Sequence, residues 1–378
     1  MKKSLLPILL SGLIACSVPQ QKDTEKTTPM TYQFLVGTYT NSSDQGIDFL
    51  TVSPESDSIN LKNLVSNFSN PSFVLANQSG SLVFSLQEEA GKGGGKIASF
   101  KRDISTNHLT LIDSLETGGD HPCHISLSPN EDFLILSNYT GGSLSAFKVG
   151  SDGNLAFSQL IQHEGKGTNP DRQEGPHVHS STFDREGKHV LVADLGTNGV
   201  YVYDFTPENE APLSLKEKVE MTPGDGPRHL AFSPDGKEVY VVQEMTAVLE
   251  VFDYQDGKMT SKQRLSLLEK GFEGAVGAAE VRVSPYGKNI YVSNRGDANT
   301  ISAFRKGENG SFELIAHYPS GGIMPRNFNL TPDGKYLISA HQKSGDIVVF
   351  DRNLETGELK ETSLRTMGNQ PVYLFPIN

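Results

Sequence analysis

From residue 31 onward the apolar and polar positions fall into blocks rather than a helical rhythm. Runs of four to six β-branched, aliphatic and aromatic residues are separated by clusters rich in Gly, Pro, Asp and Asn. One such block reads His229-Leu230-Ala231-Phe232, the turn Ser233-Pro234-Asp235-Gly236-Lys237, the run Glu238-Val239-Tyr240-Val241-Val242, polar Gln243-Glu244-Met245-Thr246, then Val248-Leu249-Glu250-Val251-Phe252-Asp253. Short β-rich runs punctuated by Pro-Asp-Gly and Gly-Lys are what antiparallel strands with tight connections require. The same order returns along the chain. Fixing one register position per copy gives Gln78, Pro129, Arg185, Pro234, Pro285 and Pro332, with spacings of 51, 56, 49, 51 and 47 residues. A period of about 50 residues belongs to β-propeller blades and exceeds that of leucine-rich or ankyrin units.

Residues 31–378 hold about seven such periods. One copy is split: Phe34-Leu35-Val36-Gly37-Thr38-Tyr39 opens the repeat region without a turn phrase before it, and Gln370-Pro371-Val372-Tyr373-Leu374-Phe375 closes it without a strand pair after it. A ring of blades leaves open edges unless its ends share a sheet. The expected fold is therefore an all-β, seven-bladed β-propeller with the N- and C-terminal strands sharing one closing blade.

Composition narrows the partners. The chain has 378 residues, Lys+Arg 33 against Asp+Glu 45, a formal net charge of −12 and no Trp. A nucleic-acid surface is disfavoured, so an anionic ligand would need locally placed Arg or His. The missing Trp disfavours WD-type and quinone-cofactor propellers. At the N-terminus, Met1-Lys2-Lys3 precedes the apolar stretch Leu5 to Ile14, and Leu13-Ile14-Ala15-Cys16 is similar to a bacterial lipobox. The stretch is too short to span a bilayer. The reading is a leader over 1–16 with lipidation at Cys16, a Pro/Thr/Lys/Gln tether over 17–30 and the propeller over 31–378; an ordinary secretory signal is the alternative. The expected location is the cell envelope, periplasmic or surface-exposed, with membrane contact only through the anchor. Only Cys123 would then remain as a free thiol, so the fold must rest on its core.

Two register positions depart from repetition. Six residues before the reference stand Ser72, Cys123, His179, Arg228, Ala279 and Arg326; ten after it stand Glu88, Tyr139, Leu195, Glu244, Arg295 and Gln342. A structural position would repeat small or apolar residues, whereas these scatter His, Arg and Glu, as a site grafted onto a scaffold does. In order along the chain come Gly175-Pro176-His177-Val178-His179, Gly226-Pro227-Arg228-His229, Glu244, Glu280-Val281-Arg282, Ser293-Asn294-Arg295-Gly296 and Pro325-Arg326-Asn327-Phe328. With Val36-Gly37-Thr38-Tyr39-Thr40 and Ala193-Asp194-Leu195-Gly196, this series resembles the seven-bladed β-propeller lactonase family, which includes propeller-type 6-phosphogluconolactonases and carboxymuconate lactonizing enzymes. The resemblance spans essentially the whole repeat region.

It implies a site of His179, Arg228, Glu244 and Arg295, with His177, His229, Glu280 and Arg326 as substrate contacts, and hydrolysis of a small-molecule sugar lactone, 6-phosphoglucono-1,5-lactone first, with no cofactor. Hydrolysing a lactone needs a base for water and fixed donors for a tetrahedral oxyanion. Glu244 as base with His179 as acid, or the reverse, meets the first need; Arg228 and Arg295 meet the second. A structural ion pair is the alternative reading of Arg228 and Glu244. No zinc pair on a helix and no Asp-rich calcium loop is present in the sequence, so metal-independent chemistry is expected. Without a Gly-x-Ser-x-Gly elbow, water is the expected nucleophile. A cyclising isomerase and a noncatalytic envelope propeller that binds a sugar acid or a protein are the competing functions.

Overall fold

The computed structural model describes residues 30–91 and 94–377. The leader, Cys16 and most of the tether lie outside the described residues. The rest forms seven four-stranded antiparallel sheets. Six are consecutive along the chain: blade 1 (74–116), blade 2 (122–162), blade 3 (178–220), blade 4 (227–266), blade 5 (278–319) and blade 6 (325–367). In blade 7 the last strand, Pro371–Ile377, is innermost and pairs with the first, Tyr32–Thr38, which continues into two further N-terminal strands. The ends of the chain thus complete one sheet, as the split copy requires.

Burial follows radius. Second strands such as Phe133–Asn138, His189–Asp194 and Asn289–Asn294 are buried at every position, whereas outermost strands such as Leu109–Glu116 are largely exposed. This explains why the second run of each copy is continuously apolar while the fourth is mixed. The hydrophobic clusters lie between blades rather than within them. Tyr240, Val242 and Leu249 of blade 4 pack with Val281, Ile290 and Phe304 of blade 5, and Leu191 and Val202 of blade 3 with Val239 and Phe252 of blade 4.

The turn phrase has a packing reason. Gly187, Gly236, Gly287 and Gly334 have φ of +66°, +73°, +71° and +70°. A Cβ on Gly187, Gly287 or Gly334 would come within 3.0–3.2 Å of Pro129, Pro234 or Pro285, the reference residue of the preceding blade; on Gly236 it would lie 3.3 Å from Arg185. Each turn therefore stacks on the one before it, around the face opposite the site described next.

Candidate active site

At the other face, five innermost strands begin alike. A residue in the left-handed region (Asn70, His121, Gly226, Met324 or Gln370) turns the chain inward, and proline follows: Pro71, Pro122, Pro227, Pro325 or Pro371. Proline is accepted there because it stands at the first residue of the strand, or in blade 1 three residues before it, where no donor to a ladder is needed. The next residue is Ser72, Cys123, Arg228, Arg326 or Val372. Strand register slips at this point, between Pro122 and His124, Val178 and Ser180, Pro227 and Leu230, Ala278 and Val281, and Pro325 and Asn327. A bulge re-aims a side chain. Here it takes Cys123, His179, Arg228, Ala279 and Arg326 out of the ladder at the axial mouth. The second series, Glu88, Tyr139, Leu195, Glu244, Arg295 and Gln342, follows the end of each second strand and reaches the same mouth.

These two series converge on Glu244. Its Oε2 lies 3.0 Å from Arg228 Nε and 2.8 Å from Arg295 Nη2, and its Oε1 accepts a hydrogen bond from Arg172 Nη2 at 2.7 Å. The Arg228 Nε–H is close to the carboxylate but not aligned for a linear hydrogen bond. Backbone carbonyls fix the deeper guanidinium groups: Arg228 Nη1 donates to Ala279 O at 2.7 Å and Arg295 Nε to Gly277 O at 2.8 Å. Across the mouth, Arg326 Nη2 donates to the Tyr39 hydroxyl at 3.0 Å, and that hydroxyl donates to Glu88 at 2.9 Å. Four guanidinium groups thus face two carboxylates, which makes a cationic opening in an acidic protein.

His179 sits beside this cluster. Tyr139 packs on it edge-on with ring centroids 5.1 Å apart, and its Nδ1 lies 3.7 Å from the Cys123 thiol. His177 stacks on Tyr139 at 4.8 Å and hydrogen-bonds Glu174, so it belongs to the rim. His229 and Glu280 lie in a second layer, joined at 3.2 Å, and Glu280 also holds Arg282 at 2.9 Å. All four residues implied as central, His179, Arg228, Glu244 and Arg295, meet at one mouth together with Arg326, while His229 packs edge-on against His179 at 5.3 Å and Glu280 reaches the group only through His229.

Electrostatics separates the titratable groups. Burial alone pushes the Glu244 carboxyl up, but Arg295, Arg228 and the hydrogen bond from Arg172 together outweigh it and hold the group well below the usual carboxylate range. Burial pushes His179 well below an ordinary imidazole, and Arg228 adds to the effect. Burial, Arg295 and Arg326 bring Arg228 down to about 9, which leaves it cationic at neutral pH. Burial and Glu88 push the Cys123 thiol up, so it stays protonated. The resting site is an ionised Glu244, a neutral His179 and charged guanidinium groups. It can stabilise an anion, and His179 can take up a proton.

Arg172 and Tyr39 were not singled out as site residues from the sequence. Arg172 comes from a loop between blades 2 and 3, outside the repeat register. Tyr39 is the seventh member of the series containing Glu244 and Arg295, and carrying the register into the split copy finds it. Among the described residues no group of three or more His, Cys, Asp or Glu side chains is arranged to hold a metal ion.

The family described as lactonase, 7-bladed beta-propeller, matches residues 33–376. A 6-phosphogluconolactonase of Formosa agariphila is 32% identical over 333 residues, which cover 86% of this chain and 94% of that one. A 6-phosphogluconolactonase of Bacillus subtilis is 29% identical over 328 residues, covering 86% and 92%. Among solved structures, a periplasmic gluconolactonase of Pseudomonas aeruginosa superposes with a TM-score of 0.87 at 30% identity, covering 92% of this chain and 99% of that one.

Proposed function

The chain belongs to the seven-bladed β-propeller lactonase family and is a lactone-hydrolysing enzyme, and we propose that its substrate is a sugar lactone, 6-phosphoglucono-1,5-lactone first among them, opened by water at the axial mouth. The observation that carries this is the cationic cluster around Glu244 with a neutral His179 beside it. Of the two role assignments open from sequence, we take His179 as base on geometry. Burial weakens His179 as a base and three guanidinium groups weaken Glu244, but both Glu244 oxygens are already engaged by Arg228, Arg295 and Arg172, whereas the neutral imidazole is not. Water adds to the lactone carbonyl as His179 takes its proton. The tetrahedral oxyanion is held by N–H groups of Arg228 and Arg295 not engaged with Glu244 or backbone carbonyls. Collapse breaks the ring C–O bond, and protonated His179 returns the proton to the departing alkoxide, giving the open sugar acid. Glu244 keeps the guanidinium groups in place and offsets their mutual repulsion.

The curated names of the relatives support the phosphorylated substrate. A neutral aldonolactone is the second reading, favoured by the periplasmic gluconolactonase likeness and by the leader read at Met1 to Cys16, which also supports a lipid-anchored envelope location. Hydrolysis of 6-phosphogluconolactone, gluconolactone and a muconolactone by the purified protein tests the reading. Turnover of either sugar lactone is expected, unaffected by EDTA. Turnover of the muconolactone alone would favour the cyclase reading, and none at all the noncatalytic one.

A further inference from the structure

Of the four arginines at the mouth, three are built in and one is not. The Arg228 side chain is 2% exposed and that of Arg295 11%, each with a nitrogen on a backbone carbonyl, and Arg326 lies over the Tyr39 ring. The Arg172 side chain is 45% exposed, and its hydrogen bonds among the described residues go to two side chains, Glu244 at 2.7 Å and the Tyr139 hydroxyl at 3.3 Å.

Its backbone, by contrast, is fixed. Asn169 Oδ1 accepts the N–H groups of Asp171 and Arg172, and Gln173, with no exposed surface, accepts from Thr168 N and Asn169 N. The Gln173 amide in turn donates to Leu195 O and Asn198 Oδ1. A long cationic side chain therefore projects from an immobile loop across the mouth. Beside it lies an open depression of about 510 Å³, bordered by Thr168, Asn169, Gly224, Met245 and Val276.

We propose that Arg172 is the specificity arm of this site: an anionic substituent on the substrate takes its guanidinium from Glu244, and the transfer frees Glu244 Oε1 to accept a hydrogen bond from the attacking water or a sugar hydroxyl. This rests on the lactonase reading above. The physical case is a comparison of partners. The Arg172 end of the pair is 45% exposed, so water screens it more than it screens the pairs Glu244 makes with the buried Arg228 and Arg295, and holding the long side chain costs it freedom. A phosphate or carboxylate offers a planar guanidinium two parallel charge-assisted bonds. The other Glu244 oxygen keeps Arg228 and Arg295, so the departure of Arg172 does not strand the buried carboxylate. The depression gives the displaced side chain and the substrate's distal group room outside the reacting centre. A neutral lactone has nothing to draw Arg172 away, so it meets a Glu244 that is still capped.

The test compares wild type with Arg172→Gln and Arg172→Lys on 6-phosphogluconolactone and gluconolactone, with binding of the stable product 6-phosphogluconate followed by calorimetry. The expected result for Arg172→Gln is a roughly 10- to 100-fold fall in the ratio of kcat/KM for the phosphorylated over the neutral lactone. The loss should be carried by KM, with weaker 6-phosphogluconate binding and partial recovery in Arg172→Lys. If Arg172 merely braces Glu244, both lactones lose activity alike and the ratio stays put, which overturns the inference, as does unchanged product affinity. Wild type that turns over neither sugar lactone defeats the hydrolase reading instead, and the calorimetric comparison still decides whether Arg172 holds the anionic group.

Discussion

At the scale of single residues, burial sets what each group at the mouth can do. If His179 is the base, it works while neutral, and burial with Arg228 keeps it neutral well below the ordinary histidine value of about 6.5. The expected pH profile of kcat/KM is therefore level from about pH 7.5 down past pH 6, with its acid limb below the usual histidine range. An inflection near 6.5 would assign the base elsewhere. Replacing His179 with Gln should lower turnover by roughly 10²- to 10⁴-fold with little change in fold. Glu244→Gln behaves differently, because it leaves Arg228 and Arg295 buried without their counter-charge. It should cost about 3 kcal/mol or more of stability by urea unfolding as well as activity, the pairing that marks an electrostatic organiser rather than a proton acceptor. The sequence disclosed Arg228, Glu244 and Arg295 because they break a repeated position. It could not disclose their protonation states, which depend on contacts made across blades.

Strands and turns were legible where one rule repeats. Runs such as Tyr240-Val241-Val242 are apolar at successive positions because second strands are covered on both faces. The slip after the inward-turning proline is not periodic and so leaves no trace in hydropathy, yet it aims Arg228 and Arg326 into the mouth. The opposite turns show how one blade is seated on another. At Gly334, φ is +70° and an added Cβ would stand 3.0 Å from Pro285. Gly334→Ala is therefore expected to cost about 1–2 kcal/mol through backbone strain and loosened stacking, read as a lower urea midpoint at unchanged m-value. Glu131, at φ +61° in the equivalent turn of blade 2, shows that a side chain is tolerated where it finds a partner, here the Gln78 backbone N–H.

For the molecule as a whole, the buried imidazoles make acid the weak direction. His179 and His229 are held neutral in the folded ring, chiefly by burial, whereas the unfolded chain binds their protons at about 6.5. The unfolded state thus carries more protons between that value and the lowered folded one. Stability is highest above the window and falls as pH drops through it, by up to about 1.4 kcal/mol per pH unit for each histidine. Glu244, with its folded value lowered, adds a further loss at lower pH. Melting temperature should decline steadily from about pH 7 to pH 5, and His229→Gln should flatten that decline. Constant melting over this range would show that the imidazoles charge freely.

The shared blade also imposes an order in time. Synthesis runs from the N-terminus, so Tyr32–Thr38 is made before every other strand of the ring and its inner partner Pro371–Ile377 after all of them. Tyr39, just beyond that first strand, comes to rest against Arg326 in a blade that is closed only when Pro371–Ile377 arrives. A growing chain can stack six blades and still lack a finished mouth, so assembly of the site waits on the strand that closes the ring.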